Sequence, residues 1–189
     1  MSHSVGFIGL GVMGRPMARF ILAAQLPLGG SLHIHDLERS RVTELLDAGA
    51  VWGQTPAELA AACDTIIVMV PEIKDIRSLL DRPEGLLAGT VAPWTLVVSS
   101  TCSPQEVRDL QTDLTAGGHP VTVVDAPVSG GAEGAESGTL VILMGGEPDA
   151  VTPVQEILSA AGTATLMLSL IHISEPTRRT PISYAVFCL

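Results

Sequence analysis

VGFIGLGVMGRPMARFIL (Val5–Leu22) is the stretch whose reading decides the fold. Val5–Gly9 is a short apolar run of strand type. From Gly11 to Ala24 the apolar residues recur at helical spacing, with Met13, Met17, Phe20 and Ile21 on one face. Between the two lies Gly9-Leu10-Gly11-Val12-Met13-Gly14, a GxGxxG placed after a strand and opening a helix, the context that gives this motif its meaning. Gly9 permits the tight turn, Gly11 lets a pyrophosphate approach the backbone, and Gly14 lets helix and strand pack closely. The helix N-terminus adds free amides and the positive end of a dipole. SLHIHD (Ser31–Asp36) then alternates at period two and ends in Asp36, 22 residues after Gly14, the spacing expected of a carboxylate that bonds the adenosine ribose hydroxyls. A carboxylate there repels a 2′-phosphate, so NAD is favoured over NADP, although Arg39 and Arg41 follow closely.

Outward from this unit, strand and helix patterns alternate to Met167. ERSRVTELLDAGA reads as a helix closed by Gly49, and TPAELAAAC as a helix entered through Thr-Pro. DTIIVMV (Asp64–Val70) is a continuous apolar strand of the kind buried on both faces of a parallel sheet. EIKDIRSLL is helical, WTLVVSS a strand, and SPQEVRDLQTDLTAG a helix with Ser103 as N-cap and Pro104 at its first position. HPVTVVDAPV is a strand running into a glycine-rich loop, SGGAEGAESG. TLVILMGG, EPDAVTPVQEILSAAG and TATLM read as strand, helix and strand. The expected fold class is therefore α/β: a Rossmann-type, doubly wound, mostly parallel sheet with helices on both faces.

Composition narrows the function. The net charge of −10 gives no global attraction to nucleic acid, and no basic run supplies a local one. No apolar stretch reaches the ~18–20 residues of a membrane span. The N-terminus has no basic n-region followed by an apolar h-region, so a secretory signal is not expected. Cys63, Cys102 and Cys188 have neither CxxC spacing nor paired histidines; no metal site is expected, and a reducing cytoplasm suits the chain.

GFIGLGVMGRPMARFIL at the start and DAPVSGGAEGAESGTLVILMGG at Asp125–Gly146 together resemble the 3-hydroxyisobutyrate dehydrogenase group of the β-hydroxyacid dehydrogenases. That family also holds tartronate semialdehyde reductase, threonate dehydrogenase and 6-phosphogluconate dehydrogenase, and imine reductases share its fold. The resemblance runs from Val5 to about Met167. It implies an NAD(P)-dependent oxidoreductase that exchanges a hydride between a small 3-hydroxy acid and C4 of the nicotinamide. Val70-Pro71 matches the segment lining the cofactor cleft, and Thr101, in Ser100-Thr101-Cys102-Ser103-Pro104, the threonine beside the nicotinamide ribose. Ser129-Gly130-Gly131 matches the segment that holds the substrate carboxylate and hydroxyl. Two adjacent glycines after the end of a strand also suit a small anion on elementary grounds.

The same resemblance implies a general acid/base lysine on a long helix leading into a second, all-helical domain through which the family forms homo-oligomers. That lysine follows the SGG serine by roughly fifty residues, in a GxGxxxKxxNN pattern. Here the position falls near Arg178, where there is no lysine, no such pattern and no asparagine. Lys74, the only lysine, reads as a solvated charge beside Asp75, so no catalytic residue is assigned. His33, His35 and His119 read as strand-face and turn histidines, Glu133 and Glu136 form no convincing acid/base pair, and Cys102 has no histidine in a matching context. A reading of another class is a non-catalytic dinucleotide- or partner-binding module, which the acidic charge disfavours in its chromatin-associated form.

LSLIHISEPTRRTPISYAVFCL (Leu168–Leu189) differs from everything before it and contains the only tyrosine, Tyr184. LSLIHISEPTR resembles the in-frame translation of one end of a transposon-derived sequencing adapter, and ISYAVFCL that of its far end. Arg179-Thr180-Pro181 would span the variable index between them. The expected organisation is a nucleotide-binding domain over 1–167, with the family's helical domain absent, and a non-native tail over 168–189.

Overall fold

The computed structural model describes residues 4–89 and 93–167. In chain order the elements begin with β1 (Ser4–Ile8), α1 (Gly14–Gln25), β2 (Ser31–His35), α2 (Thr43–Asp47), β3 (Val51–Trp52) and α3 (Pro56–Ala62). They continue with β4 (Thr65–Val68), α4 (Ile73–Asp81), α5 (Leu86–Gly89), β5 (Trp94–Val98), α6 (Pro104–Ala116) and β6 (Val121–Asp125). The last five are β7 (Val128–Ser129), α7 (Gly131–Ser137), β8 (Leu140–Met144), α8 (Pro148–Leu158) and β9 (Gly162–Leu166).

Six strands form one parallel sheet in the order β3-β2-β1-β4-β5-β6, with Val5 opposite both Leu32 and Thr65. The reversal of order between β1 and β4 is the doubly wound pattern expected from the sequence. All four residues of β4 are buried, as a central parallel strand requires. Alternate residues divide between two cores. Ile67, Val97 and Val124 pack with Met17 and Ile21 of α1 on one face. Ile66, Val68, Leu96 and Val123 pack with Ile76 of α4 and Val107 and Leu110 of α6 on the other.

Helix starts follow local chemistry. The Thr55 hydroxyl accepts the Glu58 amide ahead of Pro56. Ser103 and Glu106 form a reciprocal capping box at α6, and Glu72 and Asp75 form one at α4.

Several elements differ from the sequence reading. The helix expected over ERSRVTELLDAGA is regular only over Thr43–Asp47 after a tight turn at Arg39–Val42, α5 had no signal in the pattern, and the strand expected over HPVTVVDAPV is divided into β6 and β7. β3 is only two residues long, too short to show a period. The strand expected over Asp64–Val70 is regular only over Thr65–Val68: the Met69 amide still donates to the Ile8 carbonyl, but that of Val70 turns to the Ser100 hydroxyl. The glycine-rich segment expected as a loop is α7: Ala132, Glu133, Ala135 and Glu136 favour helix, while Gly130 (φ 128°) and Gly138 (φ 68°) set its ends. On either side of it in the chain, β7 runs antiparallel to β8 and β9 parallel to β8 in a separate three-stranded sheet. Paired backbone bonds between Asp125 and Gly145, 2.8 Å each, join this sheet to the end of β6.

Candidate cofactor site

At the carboxyl ends of β1 and β4 the chain leaves the sheet toward opposite faces, α1 on one side and α4 on the other. A cleft of about 730 Å³ opens there, within the range of cofactor sites. Gly9, Gly11, Val12, Met13, Gly14, Asp36, Val70, Pro71 and Thr101 all line it.

The three motif glycines serve different ends. Gly9 has φ 92°, and the Met69 carbonyl oxygen stands where its Cβ would be. A Cβ on Gly14 would collide with the Gly9 carbonyl oxygen. Both are demanded by the turn itself. A Cβ on Gly11 would meet nothing within 4 Å; it would point into open space bordering the cleft. The fold alone does not require glycine there, whereas a pyrophosphate lying against the backbone does. No side chain caps the N-terminus of α1, and no acidic residue occupies its first turn, so an anion is accommodated there. The residues present fit a dinucleotide.

Leu10 differs from its neighbours. Its side chain is buried in the core, and its amide donates to Asp36 Oδ2 at 2.6 Å. The other Asp36 oxygen accepts the Glu38 amide at 3.1 Å. Asp36 thus ties the tip of β2 to the glycine turn while still facing the cleft. Across the cleft, the buried Ser100 hydroxyl accepts the Val70 amide at 3.0 Å, fixing the exit of β4 against that of β5 and setting Val70-Pro71 beside Thr101. In the sequence Ser100 stands out only as the neighbour of Thr101; its bond spans 30 residues and leaves no local signal. His35 borders the cleft with Nδ1 2.9 Å from the Gly53 carbonyl oxygen, which makes Nδ1 the protonated nitrogen. Arg41 lines the cleft in a bidentate pair with Glu38, whereas Arg39 lies over the Trp52 ring, 5.7 Å from its centroid.

Ser129, Gly130 and Gly131 lie outside this cleft wall. Ser129 ends β7, and Gly131, with φ 61°, opens α7; a Cβ there would meet nothing within 4 Å. α7 packs along α1, where Arg19 Nη2 donates to the Glu136 carbonyl at 3.0 Å and pairs with its carboxylate at 3.2 Å. Glu136 is thereby a partner of α1.

The remaining candidates are not gathered into a catalytic group. Lys74 is exposed and pairs with Glu72 at 2.8 Å rather than with Asp75. Burial, with Glu106 and Asp125 adding negative charge, pushes the Cys102 thiol up to about 11, so it is no thiolate nucleophile. Asp125 is raised to about 6 by burial, and its Oδ1 is buried without a hydrogen-bond partner. Burial lowers His33. Among the described residues, no group of three or more His, Cys, Asp or Glu is placed to hold a metal. His172, Arg178, Arg179, Tyr184 and Cys188 lie outside the described residues.

Comparison with known proteins agrees with this geometry. The family described as the NAD binding domain of 6-phosphogluconate dehydrogenase matches residues 4–170. An NAD-dependent L-serine dehydrogenase of Pseudomonas aeruginosa is 36% identical over 159 residues, 84% of this chain and 51% of its own length. The mitochondrial 3-hydroxyisobutyrate dehydrogenase of Homo sapiens is 35% identical over 159 residues, 84% of this chain and 46% of its own. A solved structure described as Psf3 in complex with NADP+ and 2-OPP superposes with a TM-score of 0.76 at 30% identity, over 87% of this chain and 56% of that one. The chain spans about half the length of the curated relatives it matches. The glycine turn, the reversed strand order and the matched family converge: the chain belongs to the family of the 6-phosphogluconate dehydrogenase NAD binding domain, the Rossmann-type unit of the 3-hydroxyisobutyrate dehydrogenase group.

Proposed function

We propose that residues 1–167 are the cofactor-binding part of an NAD-dependent dehydrogenase of small 3-hydroxy acids of the 3-hydroxyisobutyrate type. The observation that carries the cofactor assignment is the contrast among the motif glycines: Gly9 and Gly14 are sealed by the protein's own backbone, and Gly11 is open toward the cleft. In this reading the amides of Gly11–Gly14 hold the pyrophosphate, Asp36 accepts the adenosine ribose hydroxyls, and Val70, Pro71 and Thr101 seat the nicotinamide end. Ser129, Gly130 and Gly131 hold the substrate carboxylate. When bound, the nicotinamide supplies a hydride acceptor at C4.

Deprotonating the substrate hydroxyl is a step that neither Lys74 nor Cys102 serves among the described residues: Lys74 is paired on the surface and Cys102 stays a thiol. The chain as given therefore binds dinucleotide without turnover. The rest of the activity belongs to a helical domain carrying the family's lysine, through which the whole enzyme also forms a homo-oligomer in the cytoplasm. Residues 168–189 are taken as translated adapter, and resequencing past the codon for Met167 checks this: the same tail in genomic DNA refutes it. A titration of the 189-residue chain with NADH, read by nucleotide fluorescence, tests the cofactor assignment. Saturable binding that Gly11→Trp abolishes is expected, with no oxidation of 3-hydroxyisobutyrate by NAD; equal binding by wild type and Gly11→Trp would overturn the assignment.

A further inference from the structure

The tip of β2 carries an arrangement that the dinucleotide motif does not require. Asp36 cannot be altered independently of the turn, because its Oδ2 holds the Leu10 amide at 2.6 Å. Two residues on, Glu38 grips Arg41 with both oxygens, Nε to Oε2 at 2.8 Å and Nη2 to Oε1 at 2.7 Å. The Arg41 amide also donates to the Glu38 carbonyl at 3.1 Å, so the pair is held on one short turn. Both side chains line the cleft alongside Asp36, where the adenosine ribose is assigned. Arg39 points elsewhere, onto Trp52. The second arginine on the cleft wall, Arg82, comes from beyond the end of α4, outside the β2 turn.

Resting on the cofactor reading above, we propose that Glu38 sets this chain's choice between NAD and NADP by holding the Arg41 guanidinium away from a ribose 2′-phosphate. With Asp36 and Glu38 both carboxylates, a phosphate dianion at the 2′ position meets two like charges, and the cleft-lining cation of the turn is already engaged. The Glu38 and Arg41 side chains are 56% and 52% exposed, so the pair is easily opened once Glu38 loses its charge. A freed Arg41 presents the planar fork that matches a phosphate. A share of the discrimination at this end of the cleft therefore lies in a surface ion pair, separable from the aspartate that shapes the turn.

The test compares NADH and NADPH titrations of wild type, Glu38→Gln and the double variant Glu38→Gln with Arg41→Ala, each checked for an unchanged thermal midpoint. Wild type is expected to prefer NADH. In Glu38→Gln the ratio of NADPH to NADH affinity should rise at least about fivefold, the scale of forming one exposed charge-assisted hydrogen bond and removing one repulsion. The double variant should return it toward wild type. An unmoved ratio in Glu38→Gln overturns the proposal. So does a rise that survives Arg41→Ala, which would assign it to Arg82 or to net charge, and so does equal affinity of wild type for both nucleotides. If wild type binds neither, the cofactor reading itself fails and this inference falls with it.

Discussion

At the scale of single residues, the site is a set of atoms with separable duties. Gly11→Val should leave the thermal midpoint within about 2 °C of wild type, because its Cβ enters open space, yet weaken NADH at least about tenfold by filling the position proposed for the pyrophosphate. Gly14→Ala should do the opposite first, destabilising the fold by about 2–3 kcal/mol in a denaturant titration through its clash with the Gly9 carbonyl. Asp125 gives a pH signature. Its folded pKa of about 6 lies above its ordinary 3.8, so the folded state binds the proton more tightly than the unfolded one. Stability from this group is complete below pH ~4 and is lost as pH rises to ~6, an effect of about 2–3 kcal/mol. Urea midpoints should fall across that window, and Asp125→Asn should flatten the profile. A profile unchanged by that substitution would refute the assignment. None of this was legible in the sequence for Asp125, which reads there as an ordinary strand-end aspartate. Its burial is set by the tertiary fold, which also brings it close enough to Cys102 for the two to interact electrostatically. The glycine turn and Asp36 were legible because each sits in a local pattern, glycine spacing or a strand end, whereas Val70, Pro71 and Thr101 were legible only through the family resemblance. Ser100 and the Leu10–Asp36 bond act across 30 and 26 residues and show no such pattern.

Among the elements, those that announced themselves did so through burial and caps. β4 and β5 are apolar runs because both faces are covered, and α3 and α6 begin at Thr55-Pro56 and Ser103-Pro104, whose hydroxyls hold the third-residue amides. Ser103→Ala should cost about 1 kcal/mol in a urea titration, since it removes one side of the capping box. α7 was hidden by its glycines, which in sequence suggest a loop. Packing explains them: Gly134 lies against Leu140, and Gly138, in the left-handed region, ends the helix directly over the Phe20 ring. Gly138→Ala should therefore destabilise the chain by about 1–2 kcal/mol, both through backbone strain and through the 2.8 Å approach of the Phe20 ring to the new Cβ. A neutral result in thermal denaturation would show that Phe20 moves freely and α7 does not depend on this closure.

For the whole molecule, the second sheet is not an independent unit. Leu140, Ile142 and Met144 share one continuous core with Val5, Phe7 and Met17 of the main sheet and α1. Leu140 is fully buried, and Leu140→Ala should cost about 2–5 kcal/mol. Both tryptophans, Trp52 and Trp94, lie in the main sheet, so their fluorescence should shift midpoint together with far-ultraviolet dichroism; two separated transitions would show that the sheets unfold apart. Among the described residues, no helix is long and apolar enough to cross a membrane. The glycine turn carries a consequence for how such a sequence drifts over generations. Natural selection for folding alone preserves the first and third motif glycines and is blind to the second. A descendant released from its ligand would lose Gly11 early while every strand and helix persisted. The survival of Gly11 in a lineage is thus a record of use, and its replacement marks the branch on which the nucleotide ceased to matter.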